Sequence, residues 1–227
     1  EPVHLGPVIN SPGTELVRSL TSDGRFLLFQ SDRSDGGYGL ADIWVIARKH
    51  TNDEFDWSEP VNLGSVINTP FTELASNYLF ADAGRIKKLF FSSNKPGGVG
   101  GPDIYESTIN DFGFETSSNV SELNTASIET CFWIRDDGLE IIFSTNRPNL
   151  TEDRAFDDLW MASRNSIYEP WSDVTKLGGN INTDGYREVA PFVTFDGRTM
   201  VISSTRPGGM ASGTFDIYMT TRRRISE

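Results

Sequence analysis

Four glutamates recur at a nearly constant spacing along this chain of 227 residues. Each one ends a short motif that begins with Ile-Asn or Leu-Asn, in INSPGTE, INTPFTE, LNTASIE and INTDGYRE. Carboxylate and amide oxygens are ligands that Ca²⁺ prefers, so one predicted chemistry is a calcium site. Two carboxylates in unlike environments could instead serve as a general acid and a general base. The glutamates, separated by 58, 56 and 59 residues, are Glu15, Glu73, Glu129 and Glu188.

A structural role for the glutamates fits the same pattern. Each repeat carries a base, which could pair with its carboxylate: Arg33, Lys95, Arg147 and Arg206. Each glutamate also follows an asparagine: Asn10, Asn68, Asn124 and Asn182. Like charges at close range repel and need such partners. A group that recurs in every repeat is more typical of a staple between strands than of a catalyst. The alternatives of staple, calcium site and acid–base pair therefore remain open.

The segments after each glutamate predict the elements that position it. A short apolar run leads to a turn that contains Asp-Gly or Ala-Gly, where glycine accepts a positive φ. A second run, rich in β-branched and aromatic residues as strands are, follows in each repeat: FLLFQS, KLFFSS, EIIFST and TMVISS. After a polar corner come a third strand and then a fourth. The repeat is thus a unit of four antiparallel strands.

Four such units predict an all-β, four-bladed β-propeller, since four strands repeated every 40–60 residues are typical of that fold. The expected domain covers residues 1–227, with repeats at about 11–64, 65–123, 124–178 and 179–227. The last repeat ends at its third strand. The first ten residues, EPVHLGPVIN, nearly repeat EPVNLGSVIN at 59–68. We therefore expect residues 1–10 to form a closing strand that pairs with the last blade and removes its open edge.

The strings SSNKPGG and SSTRPGG resemble glycine loops that bind phosphate. A phosphate loop needs a helix behind it, whose N–H groups and dipole bind the anion. A strand follows each string in this sequence. The strings therefore predict the corner between the second and third strands of a blade.

With these motifs in place, the repeat resembles the WD-like repeats of TolB-type β-propellers. The last repeat, EVAPFVTFDGRTMVISSTRPGGMASGTFDIYMTT, is the most similar. The resemblance implies an extracytoplasmic protein, secreted or periplasmic, that serves as a binding or scaffolding module. Some related propellers are lyases, hydrolases or peptidase gates. Because a fold does not fix a function, the resemblance leaves the activity open.

Positions that break the repeat are the better candidates for ligand binding. In the first strands these are Arg18, Ser76 and Trp133, which are expected to make one channel mouth asymmetric, with different side chains on its different sides. Glu73, Glu129 and Arg18 are the candidates for catalysis. Calcium is the cofactor expected, in the central channel, if the four glutamates bind a cation.

Charge excludes several classes of partner. The net charge is −12, which repels phosphate backbones and anionic lipid, and no apolar run is long enough to cross a membrane. The sequence predicts a monomer that binds a carbohydrate, a peptide or a small anionic ligand, without nucleic acid or membrane insertion. The alternative is a hydrolase or lyase that uses the channel carboxylates with Ca²⁺. Whether the chain is an enzyme is left undecided.

Overall fold

The computed structural model describes residues 1–21, 23–50, 53, 55–81, 85–148, 156–211 and 213–222, without the side chains of 75, 76, 78–81 and 85–87. The described residues form strands, turns and loops and no helix. Nothing in that part of the chain is therefore a helix that could cross a membrane. Four antiparallel sheets, one per repeat, form the blades of a four-bladed β-propeller. The predicted fold class is confirmed.

The contacts divide the chain into two compact units. One comprises residues 1–98 and 105–119 and the other comprises 99–104 and 120–227.

The first two sheets hold the strands up to residue 119. The first sheet runs β1–β2–β3–β4, and the second runs β5–β6–β7–β8, with β9 also paired to β7. The bounds are β1 (Glu15–Leu20), β2 (Phe26–Ser31), β3 (Asp42–Ala47), β4 (Val61–Asn62), β5 (Glu73–Ala81), β6 (Arg85–Ser93), β7 (Asp103–Asn110), β8 (Gly113–Phe114) and β9 (Ser118–Asn119).

The third and fourth sheets lie in the second unit. The third sheet runs β10–β11–β12–β13, and the fourth runs β14–β15–β16. The bounds are β10 (Glu129–Ile134), β11 (Glu140–Thr145), β12 (Asp158–Ser163), β13 (Ser172–Lys176), β14 (Glu188–Val193), β15 (Thr199–Ser204) and β16 (Asp216–Thr221). In three sheets, a glycine in the left-handed region turns the first strand into the second: Gly24, Gly138 and Gly197, with φ of 68°, 71° and 66°.

The expectation that residues 1–10 form a closing strand on the last blade stays a prediction, because these residues belong to the first unit and β16 belongs to the second. Residues 1–6 belong to no strand, and the fourth sheet has three strands among the described residues. Leu5 and Ile9 pack against the apolar cluster of the first sheet, which includes Phe29 and Trp44. Ile67 packs in the same way against Phe91 and Tyr105 of the blade that follows it.

Every first strand contains a β-bulge close to its glutamate. In each blade, five residues that begin at the glutamate lie opposite four residues of the second strand. Cys131 and Ala190, at the bulges of β10 and β14, have positive φ of 46° and 53°. A bulge bends its strand and redirects side chains. All four glutamates therefore lie next to a bulge of the same kind.

Apolar side chains from successive repeats form the cores of each unit. In the first unit, Leu28 and Ile43 of the first sheet pack with Phe91 and Tyr105 of the second, together with Ile67 from the connecting segment. In the second unit, Ile142 and Leu159 pack with Val193 and Ile202. These contacts come from the alternating apolar positions of the strands, whose two faces are both covered.

The polar corners are turns, as the sequence predicts. Gly97 and Gly208 of the two Pro-Gly-Gly strings have φ of 96° and 98°, which favours glycine. The aspartates that start the third strands accept backbone hydrogen bonds there: Tyr38 N–H donates to Asp42 at 2.6 Å, and Val99 N–H donates to Asp103 at 2.5 Å. A strand follows each corner, in agreement with the interpretation as a turn.

Candidate functional site

The glutamates at the starts of the first strands are held by groups of their own repeat. Glu73, Glu129 and Glu188 have no exposed surface, and Glu15 is partly buried. A hydroxyl at the end of each second strand donates to the carboxylate: Ser31 at 2.9 Å, Ser93 at 2.9 Å, Thr145 at 2.8 Å and Ser204 at 2.7 Å. Buried carboxylates require such donors, so these bonds tie the first strand to the second.

Three of the four predicted bases pair with their glutamate. The Nη2 atoms of Arg33, Arg147 and Arg206 lie 3.3, 3.3 and 3.2 Å from the carboxylates. The same atoms also donate to a backbone carbonyl of the segment before the glutamate, in Ile9, Leu123 and Ile181. Each guanidinium therefore donates to both a carboxylate and a backbone oxygen, as its planar arrangement of N–H donors allows.

The second blade departs from this arrangement. The Lys95 ammonium donates to Ser117 Oγ and lies over the Tyr105 ring, 4.1 Å from its centroid. Among the described residues it forms no ion pair with Glu73, which is held instead by the hydroxyls of Thr69 and Ser93 and by the Thr69 N–H. Burial raises the pKa of Glu73 above its ordinary value, and these hydrogen bonds only partly offset that rise.

Glu15 in the first blade shows the opposite shift. Burial raises its pKa, but the hydroxyls of Ser11 and Ser31 and the charge of Arg33 together outweigh burial and lower the pKa below its ordinary value. The pKa values of Glu15 and Glu73 are thus shifted in opposite directions, because their hydrogen-bond and charge partners differ between the two blades.

Three of the four asparagines bind the backbone of a neighbouring strand. In three blades, the side-chain amide pairs with both backbone groups of one residue in the preceding third strand. Asn68 accepts from Ile43 N–H and donates to Ile43 C=O, at 2.8 and 2.9 Å. Asn124 pairs in the same way with Ile104, and Asn182 with Leu159. The amide thereby replaces one backbone pair at the sheet edge, and the expected contact with the carboxylate is wrong.

The calcium prediction gains no support from these contacts. Each glutamate uses its oxygens on donors of its own repeat, as described above. Within the described residues, no group of three or more His, Cys, Asp or Glu side chains is arranged to hold a metal ion. The catalytic candidates Glu73 and Glu129 are fully buried.

The residues predicted to bind a ligand at a channel mouth have separate surroundings. Arg18 donates to the Gln30 side chain of the neighbouring strand. Trp133 packs against the apolar cluster of the third and fourth sheets. Ser76 pairs through its backbone with Phe91, and its side chain lies outside the described residues. The proposal of a shared mouth remains a prediction from the sequence.

An acidic cleft in the first blade is the better candidate site. We use that name for the cavity of about 580 Å³ lined chiefly by Asp32, Asp35, Trp44 and Glu59, with Ser11, Ser34 and three prolines around them. Trp44 is 6% exposed, and its indole N–H has no hydrogen-bond partner among the described residues. The Arg33 guanidinium lies over the Trp44 ring, 4.8 Å from its centroid. Carboxylates, hydroxyls and apolar rings thus meet in one concave surface.

The cleft arises where the first repeat departs from the others. Its corner reads Asp32-Arg33-Ser34-Asp35, whereas the corners of the second and fourth repeats read Asn-Lys-Pro-Gly and Thr-Arg-Pro-Gly. The Asp32 carboxylate accepts the Thr14 N–H at 2.6 Å. Asp35 and Glu59 are exposed, and within the described part of the chain their carboxylates accept no hydrogen bond. Two carboxylates are therefore available to a ligand.

Sequence reasoning did not find this cleft. The pair Ser34-Asp35, which stands before Gly36-Gly37 where the second and fourth repeats have a single proline, is its only local signal. Glu59 lies 24 residues further along the chain, and only the fold brings it to the same cavity as Asp35.

A second cavity, of about 560 Å³, lies between the third and fourth sheets. Its walls are mostly apolar, with Ile142, Met161, Val193 and Met200, and Arg222 lies at its border. Because these apolar residues also pack in the core of the unit, the cavity is a gap in the blade packing.

No protein-family model and no curated protein matches the sequence. Several solved structures match its fold. A TolB candidate from Agrobacterium tumefaciens superposes with a TM-score of 0.55 at 14% identity, over 89% of this chain and 59% of that one. The chain therefore spans about three fifths of that structure's length.

Two α-L-arabinofuranosidases also match. The enzyme from Lactobacillus brevis superposes with a TM-score of 0.54 at 12% identity, over 91% of this chain and 71% of that one. PaAbf62A from Podospora anserina, solved with cellotriose, superposes with a TM-score of 0.52 at 10% identity, over 96% of this chain and 75% of that one. At these identities the matches show the fold, and they confirm the expected resemblance to TolB-type propellers at that level.

Proposed function

We propose that this chain is an extracytoplasmic binding module that holds a neutral carbohydrate in the acidic cleft of its first blade. The observation that carries the proposal is the meeting of Asp35 and Glu59, whose carboxylates are available, with the buried indole of Trp44 in one cavity. Ligand sites combine apolar walls with a few polar groups that fix orientation. The extracytoplasmic location follows from the resemblance to TolB-type repeats.

The chemistry of the cleft favours one of the three ligand classes expected from the sequence. Three carboxylates and the Arg33 guanidinium line it, and Arg33 is already paired with Glu15, so the excess of negative charge repels a small anion. Sugar hydroxyls can donate to those carboxylates, and charge-assisted hydrogen bonds of this kind are about twice as strong as neutral ones. The fold match to two arabinofuranosidases, one of them solved with cellotriose, is compatible with a glycan ligand.

Binding is favoured over the alternative of a hydrolase or lyase. A general acid or base must come within about 3 Å of the proton that it transfers. Glu73 and Glu129 have no exposed surface and are hydrogen-bonded within their own repeats. A substrate could reach neither carboxylate without displacing strand contacts.

The test is a screen of neutral oligosaccharides, followed by calorimetry with those that bind. We expect Asp35→Asn and Glu59→Gln each to weaken binding about tenfold or more, the usual effect of losing a hydrogen bond to a charged group. Asp111→Asn, at an exposed turn of the second blade, is the control and should bind like the wild type. Unchanged affinity in both cleft variants, or no binding by any oligosaccharide at millimolar concentration, would overturn the proposal.

A further inference from the structure

The cavity between the third and fourth sheets belongs wholly to the second unit. Every residue that lines it lies between Glu140 and Arg222. Its volume of about 560 Å³ falls within the range of small-molecule sites, about 300–1,000 Å³. Packed protein interiors contain few voids larger than a water molecule. The gap in the blade packing is therefore large enough to receive a ligand.

The pairing of strands shows where the gap arises. Val193 of β14 lies opposite Met200 of β15. At the same place in the second blade, Tyr78 of β5 lies opposite Leu89 of β6. Leu89 has no exposed surface, whereas Met200 is only partly buried. The fourth blade thus has the smaller valine where the second blade has a tyrosine, and its methionine borders open space.

The walls of this cavity are suited to an apolar occupant. Ile142 and Met161 come from the third sheet, and Val193 and Met200 come from the fourth. An apolar cavity favours apolar ligands, and the unbranched methionine side chain adapts its shape to what it contacts. The body of the occupant should therefore be apolar and without a fixed pattern of hydrogen-bonding groups.

The border of the cavity carries two arginines. Arg198 and Arg222 are both exposed, and Arg198 directly follows Gly197. The Arg222 Nε–H donates to the Gly197 C=O at 2.5 Å. Gly197 has a φ of 66°, and a Cβ there would lie 2.9 Å from Arg222 Nη2. The absence of a side chain at this turn thus allows the guanidinium to lie against it.

The charges around this border leave an excess of positive charge. Glu140 also lines the cavity, but Arg135 lies 3.3 Å from its carboxylate. Asp196 offsets part of the charge of Arg198, which lowers the pKa of that exposed carboxyl. Among the described residues, Arg222 forms no ion pair, and the N–H donors of its Nη atoms form no hydrogen bond. In a chain of net charge −12, this border can pair with an anion.

We propose that this cavity binds a small molecule with an apolar body and one carboxylate head, such as a medium-chain fatty acid. The apolar body fills the gap between the two sheets. The head pairs with Arg222, whose planar guanidinium matches a carboxylate, and Arg198 adds to the attraction. Charge complementarity at the border thus selects an acid over a neutral molecule of the same length.

The first test is calorimetry with hexanoate, octanoate and decanoate. We expect affinity to rise about tenfold with each pair of methylene groups, since each buried methylene adds a similar increment. Octan-1-ol is the uncharged match for octanoate and should bind about tenfold more weakly, because it lacks the charged head.

Variants separate the head from the body. Arg222→Gln should weaken octanoate about tenfold and leave octan-1-ol unchanged, and Arg198→Gln should act in the same direction. Arg25→Gln is the matched control, because Asp23-Gly24-Arg25 is the turn of the first blade that corresponds to Asp196-Gly197-Arg198. Val193→Tyr restores the residue of the second blade, fills the gap and should abolish binding of both ligands.

No binding of decanoate at millimolar concentration overturns the proposal, and so does equal affinity for octanoate and octan-1-ol. Affinity for octanoate that Arg222→Gln leaves unchanged also overturns it. If Val193→Tyr fails to fold, Arg222→Gln still decides, because it changes an exposed side chain. The inference is independent of the carbohydrate proposal, since the acidic cleft lies in the first unit.

Discussion

The second and third blades place the same carboxylate in the same position and supply it with different cations. Glu73 and Glu129 are equally buried, and each accepts from a threonine and from a hydroxyl of the neighbouring strand. Arg147 reaches both Glu129 and a backbone carbonyl, whereas Lys95 donates to Ser117, and in the described part of the chain no base forms an ion pair with Glu73. Arginine and lysine are therefore not equivalent at this position, because the planar guanidinium holds its N–H donors in a fixed arrangement that spans the carboxylate and the backbone carbonyl.

The largest expected effect separates the two glutamates. Glu129→Gln removes the countercharge of Arg147, whose side chain is 11% exposed, and we expect the free energy of unfolding to fall by about 3–5 kcal/mol. Glu73→Gln removes no ion partner and should cost only about 1 kcal/mol. Urea unfolding measures both values. Glu122→Gln, at an exposed position, is the control, and equal losses in the two buried variants would contradict the distinction.

Exchange of the two bases should give the next largest effect. Arg147→Lys loses the bond to the Leu123 carbonyl and should lower the free energy of unfolding by about 1–3 kcal/mol. Lys95→Arg should raise it by about 1 kcal/mol, because the new guanidinium can pair with Glu73. Arg198→Lys, which changes an exposed arginine, serves as the control in the same unfolding series. Destabilisation by Lys95→Arg would show that the second blade has no room for a guanidinium at this position.

The pH dependence of stability should have opposite signs at Glu73 and Glu15. The folded pKa of Glu73 is raised, so its contribution to stability falls as pH rises from the ordinary value of 4.5 through the folded pKa. The folded pKa of Glu15 is lowered, so its contribution is present above 4.5 and is lost as pH falls through the folded pKa.

Unfolding of Glu73→Gln and Glu15→Gln between pH 3 and 7 measures this difference. Relative to the wild type, Glu73→Gln should gain stability as pH rises above 4.5. Glu15→Gln should lose its disadvantage as pH falls below 4.5. The same sign in both variants would mean that the carboxylates titrate alike.

The smallest expected effect is that of a chelator. A calcium site occupied at 100 times its dissociation constant would add about 2.7 kcal/mol to the free energy of unfolding. Because the glutamates are held by donors of their own repeats, we expect EDTA and subsequent addition of Ca²⁺ to leave the Tm unchanged. A fall in Tm that Ca²⁺ reverses would restore the cation site predicted from the sequence.

Periodicity made the fold predictable, and departures from it made the site hard to predict. The apolar runs of every repeat form strands, and three of the four predicted glycine turns are confirmed, because strand and turn preferences are local. The fourth, at 82–84, lies outside the described residues. The ion pairs of Arg33, Arg147 and Arg206 were foreseen for the same reason.

Contacts that depend on geometry were not foreseen. Asn68 lies next to the glutamate motif in sequence, yet its amide faces the backbone of Ile43, which is 25 residues away. Lys95 aligns with the arginines, but the aromatic rings around it and Ser117 hold its ammonium away from Glu73. The acidic cleft likewise needs the corner and the segment before β4 to meet. Each case turns on the direction of a side chain, which spacing does not determine.

The asparagine amide at the edge of three of the four third strands also bears on how such a chain can change its length. The amide imitates one backbone pair, so the joint between successive repeats depends on one side chain and on the backbone of the residue that it faces. A repeat that is duplicated together with its asparagine adds a complete contact to the neighbouring strand. A repeat that is lost together with its asparagine removes one. The contact that closes a sheet edge therefore travels with the repeat, and a change in blade number during evolution would carry its own edge contact.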